Sequence, residues 1–206
     1  MIVSSSLPDK LAILTDLTKG DFEAFLYDCD GTLADNMGAH KASYRAVAAT
    51  YGFELDDTII DELAGFPILQ VAQEIKKRYQ ADFDADVFAR QKILLFEGSF
   101  IEETRPIEFV VDHLKAHAGK VHIAVVSGGS RATISKTLRL LGISKLVQVL
   151  VCAGETPRGK PYPDPFLYAA EQFGVEPSKC LVFEDGDPGV RAAKAAGMQW
   201  VRIDQL

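Results

Sequence analysis

The chain has 206 residues, of which 48% are hydrophobic, and it carries a formal net charge of −7. This apolar content suffices for one substantial core with a smaller insert. The acidic balance, without a long basic run, argues against nucleic acid or an anionic membrane as a partner. No apolar stretch approaches the ~20 residues that span a bilayer, and the first residues lack a signal-peptide layout. We expect a cytoplasmic protein, monomeric by default, with its three cysteines reduced.

The first half of the chain combines one short strand with a long helical block. Residues 1–20 have apolar residues at roughly helical spacing and predict a short helix on the core or a partly ordered arm. Residues 23–29 predict the first strand. From Asn36 to Glu103, apolar residues recur at spacings of three and four, and no segment resembles a strand. This block therefore predicts a separate, all-helical subdomain.

After Pro106 the pattern changes to alternating helices and strands. The predicted strands are residues 121–126, 147–151, 180–183 and 200–203. Strands that alternate with helices of about a dozen residues indicate right-handed βαβ units and a parallel sheet. The predicted fold is thus α/β, a Rossmann-like parallel sheet flanked by helices, with an inserted all-helical cap. We assign residues 1–35 and 104–206 to the core and residues 36–103 to the cap.

Polar side chains follow each of four predicted strands, at the point where the strand ends. They are Asp28 and Asp30, Ser127, Lys160, and Glu184 with Asp185. Because the carboxyl ends of parallel strands meet at one edge of a sheet, we expect these side chains to converge. Each one alone is more often a turn residue, a helix cap or a solvated charge. Capping does not explain four such strand ends together.

Phosphoryl transfer is the chemistry that this combination suits. Phosphate monoesters react very slowly in water, and their catalysis is mostly positioning and neutralisation of charge. Asp28 can attack phosphorus and form an aspartyl-phosphate, provided that cations offset the repulsion between carboxylate and phosphate. Lys160 supplies one cation. Mg²⁺ held by Asp28, Asp185 and a backbone carbonyl supplies another, because hard cations prefer oxygen ligands.

The other polar groups suit supporting roles in the same reaction. Ser127 and the amides around Gly128 and Gly129 can donate hydrogen bonds to phosphate oxygens. Asp30 lies two residues after Asp28 and therefore on the same face of the strand. It can protonate the leaving alcohol and then activate water.

Four motifs resemble those of the haloacid dehalogenase superfamily in order and spacing, over essentially the whole chain from about residue 22. They are residues 28–33, Ser127, residues 159–161 and residues 184–185. The helical block resembles the small helical cap of that superfamily. Residues 183–190, followed by residues 192–198, resemble its β-phosphoglucomutase-like branch. Within that branch, the bacterial fructose-1-phosphate phosphatase-like sugar phosphatases look most similar.

The resemblance implies a division of labour among the acidic residues. Asp28 would be the nucleophile. Asp30 would be the acid/base, with its backbone carbonyl on the metal. Asp185 would bind Mg²⁺, and Glu184 would support the site from the outer shell.

The resemblance also implies the groups that hold the substrate. Ser127 and Lys160 would contact the phosphate. We expect further phosphate or substrate contacts from Gly31, Thr32, Gly128 and Gly129. His40 lies near a cap-proximal histidine of the family, and it either faces the site or packs within the cap. Asn36 is one turn earlier on the same helix face and would contact a sugar hydroxyl.

Three departures bear on the reaction. Dehalogenases of the superfamily lack the second aspartate of the first motif, so the presence of Asp30 argues against dehalogenation. Mutases of this branch carry a phosphate-binding arginine in the cap, whereas residues 65–68 contain no cation, which weakens a mutase assignment. Gly186 stands where many relatives have serine, which removes one possible hydrogen bond near the metal.

We therefore expect a Mg²⁺-dependent phosphatase of small phosphorylated metabolites, with sugar or polyol phosphates as the substrate class. The nearest alternative is a β-phosphoglucomutase-type isomerase. An alternative of another class is a non-catalytic module that binds phosphorylated metabolites. That module would have lost the nucleophile, the lysine or the metal aspartate, and all three are present.

Overall fold

A parallel sheet lies at the centre of the computed structural model, which describes residues 9–206. The strands are β1 (Ala24–Tyr27), β2 (Ala34–Asp35), β3 (Arg105–Pro106), β4 (His122–Val126), β5 (Val149–Val151), β6 (Cys180–Glu184) and β7 (Gln199–Arg202). All but β2 and β3 form one five-stranded sheet in the order β5-β4-β1-β6-β7, and every pairing in it is parallel. The predicted α/β class with a parallel sheet is confirmed.

Strand β1 occupies the middle of this sheet. Tyr27 is in register with Val125 of β4 on one side and with Phe183 of β6 on the other. All residues of β1 are buried, as expected for a central strand covered on both faces. The chain therefore leaves the most enclosed strand of the sheet directly at Asp28.

The helices lie close to the predicted positions. They are α1 (Lys10–Leu17), α2 (Met37–Thr50), α3 (Thr58–Glu62), α4 (Ile68–Tyr79), α5 (Ala85–Leu95), α6 (Glu108–His117), α7 (Arg131–Leu140), α8 (Asp164–Phe173) and α9 (Asp187–Ala195). Helix α1 packs against α6, which favours a docked helix over a loose arm. The rest of the predicted arm, residues 1–8, lies outside the described residues. No helix in the described part is both long and apolar enough to cross a membrane.

Two apolar layers cover the faces of the sheet. Because side chains alternate along a strand, Phe25 and Tyr27 of β1 point into one layer, while Leu26 points into the other. The first layer contains residues of α1, α6 and α7, and the second contains residues of α8 and α9. Cys29, Cys152 and Cys180 are buried within these layers and form no disulfide among the described residues.

Helices α2 to α5 have an apolar cluster of their own. Its fully buried members include Ile75 and Phe88, and none of its residues belongs to the two clusters that cover the sheet. A separate cluster supports the division into a cap at residues 36–103 and a core formed by the rest. The exact boundaries stay a prediction.

The two connections between core and cap pair with each other. Strands β2 and β3 are antiparallel, with Ala34 opposite Pro106, and the amide of Ile107 donates to the carbonyl of Leu33 at 2.9 Å. The sequence predicted the boundaries between core and cap close to these strands but no strands there, because two-residue strands leave no periodic pattern. The chain thus enters and leaves the helical insert at one place, beside the end of β1.

Candidate active site

The ends of three strands meet in a buried ion cluster. Lys160 Nζ lies 2.6 Å from Asp28 Oδ1 and 2.5 Å from Glu184 Oε1, and it donates to the carbonyl of Val126 at 2.8 Å. Asp28 and Lys160 are each 3% exposed, and Glu184 is completely buried. The parallel sheet therefore does bring together residues more than a hundred positions apart.

Negative charge exceeds positive charge in this cluster. Burial raises the pKa of Asp28 well above its usual range, and the charges of Glu184 and Asp185 act in the same direction, although Lys160 opposes them. Burial and then Glu184 raise the pKa of Asp185 to about 7. For Lys160, burial favours the neutral form, but Asp28 and Glu184 outweigh it and raise the pKa above its ordinary value. One ammonium thus faces three carboxylates.

The same carboxylates fit a divalent cation. One oxygen from each of Asp28, Glu184 and Asp185 lies within 4.8 Å of the others, and an all-oxygen set suits Mg²⁺. Gly31 makes room for this arrangement, because a Cβ there would lie 2.1 Å from Asp185 Oδ2, and its φ of +90° also favours glycine. The donor set therefore fits the metal that the sequence predicted.

The acidic trio differs in one member from the expected ligands. Glu184 was expected in a supporting role, but one of its oxygens belongs to the trio. The same side chain pairs with Lys160. It also lies against α9, where a Cβ on Gly189 would be 1.9 Å from Glu184 Oε1. The Asp30 carboxylate is not part of the trio among the described residues. Its predicted role on the metal belongs to its backbone carbonyl and stays a prediction.

The Asp30 carboxylate has a separate set of partners. Asn36 Nδ2 donates to Asp30 Oδ1 at 2.6 Å, and His40 Nε2 lies 3.5 Å from the same oxygen. Burial by itself would raise the pKa of Asp30, but the charge and hydrogen bond of His40 and the hydrogen bond of Asn36 lower it to about 2. The pKa values of the two aspartates of the first motif are thus shifted in opposite directions. Burial and nearby negative charge raise the pKa of Asp28, whereas the partners of Asp30 stabilise its carboxylate and lower its pKa.

His40 connects Asp30 to a lysine of the cap. Lys92 Nζ lies 2.6 Å from His40 Nδ1, and the imidazole stacks on Phe96 with ring centroids 4.1 Å apart. Burial and the charge of Lys92 lower the pKa of His40. The other ring nitrogen, Nε2, is turned towards Asp30, 3.5 Å from Oδ1. Of the two alternatives for His40, the structure favours the one in which it faces the site.

Lys92 is the residue of this site that sequence reasoning missed. It lies on α5 and is 1% exposed, and burial lowers its pKa to about 7. A signal was available: Phe88, Lys92 and Phe96 are four residues apart and share one helix face, so the lysine interrupts an apolar stripe. A charged residue at a core position of a cap helix therefore indicates a functional site, as a charged residue at a strand end does.

The predicted phosphate-binding loop follows β4. Ser127 Oγ accepts a hydrogen bond from the amide of Gly129 at 3.1 Å. Helix α7 is capped instead by Ser130, whose Oγ accepts from the amide of Thr133 at 3.1 Å. Ser127 is therefore not the helix cap, and with Gly128 and Gly129 it lines a cavity that also contains Asp28 and Asp30.

That cavity lies between the sheet edge and the cap and measures about 70 Å³. Enzyme lids commonly open to admit a substrate and close over it, and such a movement of this cap stays a prediction. Apart from His40, Lys92 and Tyr44, the cap side chains on the wall are apolar: Met37, Ile60, Leu63, Ala64, Phe66, Ile68, Val71, Ile93 and Phe96.

The cap closes on the core through backbone atoms. A Cβ on Gly128 would lie 2.8 Å from the carbonyl oxygen of Gly65, and a Cβ on Gly186 would lie 2.9 Å from that of Ala64. Gly186 has φ −113°, so its backbone conformation does not require glycine. The lack of space for a side chain beside Ala64 does require it. This contact gives a physical reason for glycine at position 186.

Three residues expected to bind phosphate or substrate lie elsewhere. Gly31, Thr32 and Asn36 are not on the wall of this cavity in the described structure. Gly31 packs on Asp185, Thr32 is fully buried with its hydroxyl unpartnered among the described residues, and the Asn36 amide is engaged by Asp30. The expected contact of Asn36 with a sugar hydroxyl finds no support in this arrangement.

Comparison with known proteins gives a consistent answer. The family model of haloacid dehalogenase-like hydrolases matches residues 22–197. Fructose-1-phosphate phosphatase YqaB of Escherichia coli is 34% identical over 90% of this chain and 98% of its own length. Phosphorylated carbohydrates phosphatase of Thermotoga maritima is 30% identical over 86% and 82%, respectively. Among solved structures, β-phosphoglucomutase from Clostridium difficile superposes with a TM-score of 0.77 at 26% identity, over 88% of this chain and 84% of that one.

Proposed function

The chain belongs to the haloacid dehalogenase-like hydrolase family, and we propose that it is a Mg²⁺-dependent phosphatase of small phosphorylated metabolites. Sugar and polyol phosphates are the first class to test, because the relatives named above act on phosphorylated carbohydrates by name. The observation that carries the proposal is the contact of Asp28 with Lys160 inside an acidic trio at the sheet edge. It combines a nucleophile, a cation for the phosphate and an oxygen site for a metal.

In the first half-reaction, Asp28 attacks phosphorus, the bond between phosphorus and the ester oxygen breaks, and an aspartyl-phosphate forms. Asp30 donates its proton to the departing alcohol. Lys160, the Ser127 hydroxyl and the amide of Gly128 hold the phosphate oxygens. A Mg²⁺ ion held by Asp28 and Asp185 would supply the positive charge that this carboxylate-rich site lacks.

In the second half-reaction, Asp30 takes a proton from water, the water oxygen attacks phosphorus, and Asp28 is released with inorganic phosphate. Without substrate, Asp30 has a low pKa, about 2, and is therefore ionised, which is the state in which it can accept this proton. The acid role requires a proton on Asp30 before the first step. A phosphate dianion in the closed cavity favours that proton, because a nearby negative charge raises the pKa of a carboxyl.

Hydrolysis of 4-nitrophenyl phosphate, with and without Mg²⁺, tests the proposal. We expect turnover that depends on the metal and that Asp28→Asn abolishes. Asp112→Asn, which changes a half-exposed aspartate on α6 paired only with Lys115 at 3.3 Å, is the matched control and should keep full activity. No turnover with metal, or full turnover by Asp28→Asn, would refute the proposal.

One observation keeps the mutase alternative open. Residues 65–68 contain no cation, but Lys92 brings a buried ammonium into the cavity from α5. A mutase must hold a second phosphate, and this lysine is a candidate for that task. Conversion of a sugar 1-phosphate into its 6-phosphate, without release of inorganic phosphate, would favour the mutase over the phosphatase.

A further inference from the structure

Lys92 is a buried cation without a carboxylate partner. Its ammonium lies over the rings of Tyr44 and Phe96, at 4.9 Å and 4.7 Å from their centroids, and its hydrogen bond goes to His40. Among residues 9–206, no carboxylate oxygen lies within 4.0 Å of it. An ammonium has three donors, so two remain for a ligand.

Lys160, the other buried lysine of the site, has the carboxylate partners that Lys92 lacks among the described residues. Lys160 is as deeply buried, but it contacts two carboxylates, Asp28 and Glu184, and a carbonyl. Buried charges are normally paired, since an uncompensated one costs several kcal/mol. An anion that enters the cavity would meet Lys92 in apolar surroundings, where electrostatic attraction is stronger than in water.

The rest of the cap wall offers few partners for neutral hydroxyl groups. His40 directs its nitrogens to Lys92 and Asp30, and the Thr133 hydroxyl on the core side is bonded to Glu97 at 2.5 Å. The other cap side chains are apolar apart from the Tyr44 hydroxyl. A leaving group with many hydroxyls would leave most of them unpaired, and each unpaired group costs binding energy.

We propose that Lys92 is a binding residue for an anionic group on the leaving part of the substrate. The preferred substrates are then short phosphate monoesters whose alcohol also carries a carboxylate or a second phosphate. This inference rests on the proposed phosphatase function and refines it, because it selects acidic esters over neutral sugar phosphates. Lys160 and the loop after β4 hold the reacting phosphate, and Lys92 holds the second anion from the cap wall of the cavity that this loop lines.

Matched substrate pairs test the inference. Glycerol 3-phosphate and 3-phosphoglycerate differ by a hydroxymethyl group and a carboxylate, and fructose 1-phosphate and fructose 1,6-bisphosphate differ by the second phosphate. We expect kcat/KM to favour the acidic member of at least one pair about 10-fold or more, as for a hydrogen bond to a charged group. The pair that shows the preference identifies the anion. Turnover of 4-nitrophenyl phosphate reports the chemistry separately.

Two lysine variants locate the preference. Lys92→Met should bring the acidic-to-neutral ratio close to one, whatever it does to the absolute rates. Lys76→Met is the matched control, since this cap lysine donates to the carbonyl of Phe83 at 2.6 Å, lies over the Phe83 ring and does not line the cavity. It should keep the wild-type ratio. Equal kcat/KM within both pairs, or an unchanged ratio in Lys92→Met, would overturn the inference and leave the phosphatase proposal intact.

Calorimetry supplies a readout that does not need turnover. The Asp28→Asn variant should bind 3-phosphoglycerate or the bisphosphate more tightly than the neutral partner, and Asp28→Asn combined with Lys92→Met should not. If the wild type hydrolyses no phosphate ester, the phosphatase proposal fails. The binding constants then test the role of Lys92 independently of catalysis. A preference for the acidic ligand that depends on Lys92 supports the anion site, and equal affinities refute it.

Discussion

The sheet edge and the cap wall face each other across one cavity, and each contains a buried lysine. At the sheet edge, Lys160 lies among carboxylates and its pKa is raised. On the cap wall, Lys92 lies among aromatic rings and its pKa is lowered to about 7. The difference is that the lysine of the sheet edge is paired with carboxylates of the protein, whereas the lysine of the cap, by our proposal, is paired by an anionic group of a ligand.

Removal of the sheet-edge lysine should have the largest effect. Lys160→Met leaves the carboxylates of Asp28, Glu184 and Asp185 without a counter-charge, and loss of one partner from a buried ion cluster costs about 3–5 kcal/mol. Urea unfolding at pH 8 in EDTA measures this loss, and phosphatase activity should disappear as well. Lys136→Met, which breaks a surface pair with Glu102, should cost at most about 1 kcal/mol. Equal losses in both variants would contradict the assigned role of Lys160.

Lys92 should make the free energy of unfolding depend on pH. Its pKa of about 7 in the folded protein lies below its value of about 10.4 in an unfolded chain. Between these values the unfolded chain binds more protons, so the free energy of unfolding rises with pH. From pH 7 to 9.5, the wild type should gain about 3 kcal/mol relative to Lys92→Met.

Urea unfolding of wild type, Lys92→Met and Lys76→Met over this pH range measures the slope. Lys76→Met should follow the wild type, because Lys76 is exposed. Lys160 contributes no gain of this kind, since its pKa is raised in the folded protein and its stabilisation is present throughout the range below the unfolded value. Parallel profiles for wild type and Lys92→Met would show that Lys92 is not a destabilised ammonium.

Metal binding should stabilise the sheet edge. If the carboxylate trio binds Mg²⁺, the ion adds about 2.7 kcal/mol at a concentration 100-fold above its dissociation constant. Asp185→Asn should abolish the rise in Tm that Mg²⁺ produces in the wild type. Asp187→Asn is the matched control. Asp187 lies two residues after Asp185 in the chain, and its side chain is 83% exposed and paired with Arg202. A similar rise in wild type and Asp185→Asn would place the ion elsewhere.

The contact between the two regions should give the smallest effect. Gly186→Ala places a methyl group against the carbonyl of Ala64, and overpacking of this kind costs about 1–3 kcal/mol. The cost should fall on the closed cap, so kcat/KM should drop about tenfold, and amides of residues 64–67 should exchange hydrogen faster. Gly98→Ala, at a position with open space, should change neither. Unaltered exchange in Gly186→Ala would show that this contact does not hold the cap.

The local pattern of the sequence predicted most of the fold. Apolar spacing and the alternation of helices with strands indicated the helices after Pro106, and among them α8 ends where Gly174 adopts φ +65°. Asp84 caps α5, and its Oδ1 accepts from the amide of Val87 at 2.9 Å. The pairing of β2 with β3 was not predicted, since two-residue strands carry too little pattern.

The order of the chemistry-bearing residues along the chain was also sufficient to predict where they meet. Each follows a strand, and the rule that parallel strands end at one edge needs no side-chain detail. For that reason Asp28, Lys160, Glu184 and Asp185 were expected together, and the structure brings them together. Their roles in catalysis stay predictions until the variants are measured.

Only the tertiary structure decided what faces this edge. Contact of Lys92 with His40, and of His40 with Asp30, depends on how α2 and α5 pack within the cap and how the cap docks on the core. The same docking explains Gly186. Strand ends and helix stops are local properties that neighbouring residues encode, whereas these contacts join residues that no local pattern relates.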